Sequence, residues 1–357
     1  MNKIITDFFL SANTPAGFIS NFNMIYKLDS SWKCYILKGV PGCGKSTAFK
    51  KIAQEASKKY SYIEKVHCSC DPESLDGVII YDAHKLYIDG TLPHMIEPLY
   101  PGTNHIVVSL YDGINKEYLW SKKEEIRSLV KQKKSLSENC QRLLSSTGEF
   151  YSDTYITAES FTDIPKVQAQ SRRIIKQELK DNRSCFGTEY ERFFSVITKD
   201  GISLFENTIS ALADKVFLLQ DDYGLFSHIM LSEIKTTCLY KGYDVISCRC
   251  CATPWKKYEH LFIPELRIAF VSSNKFHSLD LIPYRIINSR RYIDNDKVRE
   301  KKKRLQFNKS STEQILSKSI DTMGEIYFCH NKLETIYRKG VDFSKTDSVV
   351  NSLLATL

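Results

Sequence analysis

At 357 residues the chain exceeds the roughly 250 to 300 at which single hydrophobic cores stop growing, so two domains are expected. Hydrophobic residues at 42% and charged residues at 26% are globular proportions, and no apolar run approaches the roughly 20 residues of a membrane span. A net charge of +8 suits an anionic partner without separating nucleotide from nucleic acid, and 11 scattered cysteines fit free thiols in a reducing compartment, not a disulfide framework.

The N-terminal MNKIITDFFL has neither an apolar signal core nor a small-residue cleavage site, so a cytoplasmic protein with no membrane partner is expected. The first informative element is the β-prone run Cys34-Tyr-Ile-Leu37. It leads into Gly39-Val40-Pro41-Gly42-Cys43-Gly44-Lys45-Ser46, which fits the phosphate-binding pattern G-x-x-x-x-G-K-[ST]. A helix is predicted from Thr47 to Ala56, with Phe49, Ile52 and Ala53 on one face. Strand, glycine loop and helix are the order that a phosphate cradle needs. Glycines let successive N–H groups turn inward, and the helix dipole adds positive potential. In this reading Gly39 to Thr47 bind the nucleotide, Lys45 neutralises the β and γ phosphates, and the Ser46 hydroxyl ligates Mg²⁺.

A second magnesium ligand is expected at a strand end. Leu86-Tyr-Ile leading into Asp89 is the best candidate, with Asp82, after Val78–Tyr81, as rival. Asp71 follows the predicted strand Tyr62–Cys68 and would emerge on the same carboxyl edge. It is a candidate to orient or deprotonate a nucleophile, although an Asp before Pro72 is also an ordinary turn former. Helical spacing follows at Ile126, Leu129, Val130, Leu136, Cys140, Leu143 and Leu144, and again over Pro165–Leu179.

The second half of the chain then echoes the first. Phe9-Leu-Ser11-Ala-Asn-Thr14 parallels Phe193-Phe-Ser195-Val-Ile-Thr198; Cys68–Pro72 parallels Cys250–Pro254; Leu86–Asp89 parallels Ala269–Ser272. Ordered blocks at a nearly constant offset mean a duplicated unit. A helical stretch from Val298 to Leu333 closes the second copy, so each sheet is expected to carry an appended helical hairpin. In the matching stretch VFLLQDDYGLFSH, Asp221 aligns with Gly39, Gly224 with Gly42, Phe226 with Gly44, Ser227 with Lys45 and His228 with Ser46. Two aspartates and the lost lysine predict a pocket that rejects phosphate.

With FFLSANTPAGF, LKGVPGCGKST, HCSCDPESLDGVII, YIDGTLPH and the echoes CRCCATP and HLFIPELRIAFVSSN, the chain resembles a family of uncharacterised bacterial ATPases with two tandem P-loop-like halves. The resemblance implies an α/β fold of two P-loop NTPase-like domains with mostly parallel sheets. It also places Asp71, Asp89 and His94 in motif segments. The expected division is an active P-loop domain over 1–118, a helical insert or lid over 119–184, a degenerate P-loop-like domain over 185–295 and a C-terminal helical segment over 296–357. The expected function is Mg²⁺-dependent ATP binding and hydrolysis in the first half alone. The alternatives are a small-molecule or nucleotide kinase with Asp71 as base, and a nucleotide-sensing scaffold with an unknown protein partner.

Weaker signals complete the reading. His67, Cys68, Cys70 and His94 are conceivable zinc ligands, although Cys-x-Cys lacks the usual spacing. Cys43, beside a helix N-terminus, is a conceivable redox control on the loop. The basic run Arg299–Arg304 could touch nucleic acid but reads more simply as a solvated helix face. Arg172 and Arg173 are lid or arginine-finger candidates. Asn331-Lys-Leu-Glu334 is a near miss to a guanine-reading motif, in a helical pattern and far from the P-loop.

Overall fold

The computed structural model describes residues 3–180, 185–253, 255, 257–274 and 277–357. In the first half, β-branched and aromatic runs form β1 (Ile4–Phe9), the hairpin β2 (Ser11–Thr14) and β3 (Gly17–Ser20), and β4 (Lys33–Lys38). There follow α1 (Lys45–Lys59), β5 (Tyr62–His67), β6 (Leu75–Ile80), β7 (Lys85–Asp89) and β8 (His105–Ser109). The six-stranded sheet has the order β1-β5-β6-β7-β4-β8, with only β6 running against the rest. The central strands are buried on both faces, as their nearly unbroken apolar runs require. One face packs on Ala48, Phe49, Ile52, Ala53 and Ala56 of α1, which share one helical stripe.

The second half repeats this one element at a time. It runs β9 (Glu189–Arg192), the hairpin β10 (Ser195–Thr198) and β11 (Gly201–Leu204), then β12 (Lys215–Gln220), with a short α5 (Asn207–Leu212) before β12. It continues with α6 (Leu225–Tyr240), β13 (Val245–Arg249), β14 (Tyr258–Ile263), β15 (Ile268–Ser273) and β16 (Arg285–Asn288). Its sheet, β9-β13-β14-β15-β12-β16, has the strand order and directions of the first. Even the left-handed residue joining the two antiparallel strands recurs, as His84 (φ 49°) and Arg267 (φ 51°). The α/β class, two mixed and mostly parallel sheets and the duplication are therefore all present. Pro254 of the cysteine-rich echo and the expected boundary at 184 lie outside the described residues.

The helices depart from expectation. Short α2 (Lys116–Ser121) precedes α3 (Lys123–Glu159), which turns into α4 (Ile164–Glu178); α7 (Asn295–Lys339) turns likewise into α8 (Phe343–Leu354). Asp163 and Asp342 cap the two terminal helices, each accepting a backbone N–H from the first turn. The two long helices do not fold back on their own sheets but lie antiparallel against each other. Lys133 Nζ meets His330 Nδ1 at 3.1 Å, the Cys140 thiol meets the Ser319 carbonyl at 3.7 Å, and Asn308 Nδ2 meets Asp153 Oδ2 at 2.6 Å. The terminal helices are then exchanged. Val167 and Ile174 of α4, with Leu179, enter the core of the second sheet, while Val350 and Leu353 of α8 enter the core of the first. Paired bridges mark the exchange, Ile114 with Val341 and Thr162 with Ile293, and Phe9 pairs with Phe193 where the sheet edges meet.

Candidate functional site

The glycine loop leaves the end of β4 and closes at Gly44, which caps α1. Gly42 and Gly44 hold φ of +71° and +96°, conformations strained for any side chain. A Cβ on Gly39 would lie 2.6 Å from Cys43 Sγ and 3.1 Å from Leu110 Cβ, so the loop is also packed from beneath. The Lys45 ammonium folds back onto the loop, donating to the carbonyls of Gly39 (2.9 Å) and Val40 (3.2 Å). It lies 3.7 Å from Asp89 Oδ2. Asp89 Oδ1 takes the Thr91 N–H at 2.8 Å and the Thr91 hydroxyl at 2.6 Å, which fixes the carboxylate and leaves Oδ2 toward Lys45. Burial raises the Asp89 carboxyl above its ordinary value, with Asp76 adding to the rise and Lys45 and Thr91 opposing it. The Ser46 hydroxyl, on the first turn of α1, accepts the Leu75 N–H at 3.0 Å.

Asp76 is the acid that sequence reasoning missed. Because β6 runs against its neighbours, its first residues lie at the carboxyl edge of the sheet, and the pairing of Gly77 with Ile88 sets Asp76 beside Asp89. His94 Nε2 meets Asp76 Oδ2 at 3.2 Å, and its ring stacks on Phe22 with centroids 3.9 Å apart. The only sequence signal is an acid opening an apolar strand, and nothing in that run gives the strand's direction. Asp71 also lies at this edge, but β6 and β7 separate its strand from β4. Its carboxylate accepts the Ser74 hydroxyl at 2.7 Å and its carbonyl the Ser74 N–H at 2.8 Å, the turn-forming role, with Lys199 of the other half as its charged neighbour. Asp82 sits at the opposite edge, where it accepts from Ser61 and Tyr62, so Asp89 and not its rival accompanies Lys45.

The weaker signals separate as follows in the structure. Cys43 is fully buried and burial raises its thiol, so the loop holds no activated thiolate. His67 is tied to Asp7 (2.8 Å) and to the Pro72 carbonyl (2.6 Å), while His94 is tied to Asp76, so the four conceivable zinc ligands are not gathered. Among the described residues the one cluster with metal-donor chemistry is Glu259, His260 and His277. There Lys257 Nζ already holds Glu259 at 3.2 Å, and Nδ1 of His260 accepts the Ser272 N–H at 3.3 Å, which leaves the proton on Nε2, the atom a metal would need. Arg172 pairs with Glu233 of α6 at 3.2 Å, because α4 packs on the second half and not over Lys45. In the basic run, Arg299 pairs with Asp296 and Arg304 with Asp153, as a solvated helix face does.

Asn331–Glu334, far from the loop in sequence, is not far from it in space. A Cβ on Gly42 would lie 2.9 Å from the Glu334 carbonyl oxygen and 3.4 Å from the Glu334 Cα, while the Glu334 carboxylate lies 3.5 Å from His330 Nε2 on the same helix. The exchange explains the surprise, since α7 of the second half ends against the loop of the first.

The second loop is two residues shorter than the first. β4 and β12 end equivalently at Lys38 and Gln220, and Gly224 (φ +84°) caps α6 as Gly44 caps α1. Gly224 therefore corresponds to Gly44, and Leu225, Phe226 and Ser227 stand at Lys45, Ser46 and Thr47, a shift from the sequence alignment. Asp221 does more than repel anions. Its buried carboxylate takes the Ser227 N–H and hydroxyl, both at 2.8 Å, and the Tyr223 N–H at 3.1 Å, so an internal anion fills the helix N-terminus.

No family model, curated protein or solved structure matches the chain. Among the described residues no helix is long and apolar enough to cross a membrane.

Proposed function

We propose that the protein is a Mg²⁺-dependent P-loop nucleoside triphosphatase that binds and hydrolyses ATP in its N-terminal half. The observation that carries this reading is Lys45 at the start of a helix, on a glycine loop and 3.7 Å from a strand-end carboxylate, Asp89. The donors fit the group. Ser46 and Asp89 offer hard oxygens of the kind magnesium prefers, and Gly42 and Gly44, at positive φ, let the loop curl as a phosphate cradle does. Ser46 and Asp89 would hold the magnesium, which would supply positive charge to offset what develops on the phosphates. Lys45 would leave the Gly39 and Val40 carbonyls for the phosphates, the loop N–H groups would hold their oxygens, and Thr91 would keep the metal-side carboxylate of Asp89 in place.

The second half, with Leu225 at the lysine position and Asp221 on its own helix end, is proposed to be inactive toward phosphate. Asp71, held by Ser74, is given no part, so the kinase reading loses its base. Steady-state turnover of Mg·ATP tests the proposal. Lys45→Ala and Asp89→Asn are each expected to lower it about a hundredfold or more, with Asp71→Asn near wild type. Wild-type turnover in Lys45→Ala would refute the assignment.

A further inference from the structure

The net charge of the molecule is concentrated in one place. Residues 285–304, from β16 through the turn Ser289–Tyr292 into the first ten residues of α7, hold nine lysines and arginines against three acids. Helix α4 holds four against one. Together they carry +9, more than the +8 of the whole chain. The exchange of helices sets them side by side. Val167 and Ile174 of α4 share a core with Ile287 and Tyr292, Thr162 bridges Ile293, and Lys166 Nζ donates to the Arg291 carbonyl at 2.7 Å. Duplication supplies the comparison: the matching stretch of the first half, 105–125, holds three basic residues against four acids, and α8 holds one of each.

Folding does not call for this charge. Arg172, Arg290, Arg299 and Arg304 have acid partners, but the other nine of the thirteen form no ion pair among the described residues. Arg173, Arg285, Arg291, Lys297, Lys302 and Lys303 are among those nine, and all six are exposed. Lys166 and Lys297 stand in the first turns of α4 and α7, the helix ends at which a cation is unfavourable. Like charges gathered in this way repel one another until an anion covers them.

We infer that this face binds the phosphate backbone of double-stranded DNA without reading its sequence. Over α4 and residues 295–304 the exposed residues include no large apolar side chain to enter a lipid surface and no aromatic ring to stack on the bases of a single strand. Their only exposed uncharged polar side chains are Gln177 and Asn295, few for the 2′-hydroxyl contacts by which RNA duplexes are recognised. What they present is long cationic side chains, the chemistry that displaces counterions from a duplex. The face is built on the half whose loop has no lysine, and it does not depend on the nucleotide reading.

Fluorescence anisotropy of the full-length chain with a labelled DNA duplex, over a series of salt concentrations, tests this. Two triple variants are compared with wild type: Arg173→Gln/Arg285→Gln/Arg291→Gln and Lys297→Gln/Lys302→Gln/Lys303→Gln. Each is expected to bind about tenfold or more weakly at low salt and to reduce the log–log salt slope by about 2 to 3. Lys116→Gln/Lys122→Gln/Lys123→Gln, on the matching stretch of the first half, is expected to bind as wild type does, and so is Lys45→Ala. The substituted positions are exposed, so thermal midpoints of the triple variants should equal or exceed that of wild type as repulsion is relieved. Wild-type affinity in both triple variants of the second half, or no duplex binding by wild type, would overturn the inference. So would tighter binding to an RNA duplex of the same sequence, or displacement of the labelled DNA by phosphatidylserine vesicles at equal phosphate concentration.

Discussion

At the residue scale, the halves are joined by a charge pair that neither half could bury alone. Arg192 Nε meets Glu64 Oε1 at 2.5 Å with side chains 2% and 0% exposed, and the Tyr81 hydroxyl serves both groups. Removing one partner strands the other charge, so Arg192→Met or Glu64→Gln should each cost about 3 to 5 kcal/mol, read from urea unfolding. A cost under about 1 kcal/mol, the range of exposed pairs, would contradict that burial. The second half also contains an acid-sensitive group. Burial, with help from His277 and Lys257 and against Glu259, pushes the His260 imidazole from 6.5 down to about 3. Between those values the unfolded chain binds a proton that the folded chain refuses. The contribution is therefore fully present above pH 6.5 and is lost as pH falls toward 3, by at most about 1.4 kcal/mol per pH unit. Replacing the imidazole, as in His260→Leu, should flatten the fall in thermal midpoint over that window; an unchanged slope would contradict it. Asp89 was legible because an apolar strand runs straight into it. Asp76 was not, since its place depends on the direction of β6, which no residue in β6 announces.

At the element scale, α8 is the test of the exchange. It supplies Val350 and Leu353 to the first core, and the chain end is tied down by Tyr60, which donates its hydroxyl to the Leu357 carbonyl, and by Tyr87, whose hydroxyl meets Thr356 at 2.7 Å. Ending the chain after Asp342 should expose the first core at a cost of about 3 to 6 kcal/mol, at 1.5 to 3 for each large apolar side chain. The loss should appear as faster proteolysis of α1 and its sheet. Selective loosening of the second sheet instead would contradict the exchange. The strands and helices themselves were readable from alternation, apolar runs and caps such as Asp163 and Asp342. The exchange was not, because an amphipathic stripe states that a face is buried and says nothing about which half buries it. For the same reason Arg172 looked available as a lid residue, and Glu334 looked remote.

At the scale of the whole molecule, the duplication was plain in sequence because the sheet cores and hairpins keep their residue types at a fixed offset. The loss of the second loop was plain too, although the alignment needed a two-residue shift. Only structure shows that the Asp221 carboxylate fills the helix N-terminus at the second loop, and that α7 packs on the first loop at Glu334. The central claim is one nucleotide site per chain, in the first half. Its most direct measurement is the stoichiometry of Mg·ATP binding to the intact protein: one site, absent in Lys45→Ala and unaffected by Asp221→Asn, is predicted. Two sites per chain, or one that survives Lys45→Ala, would contradict the account.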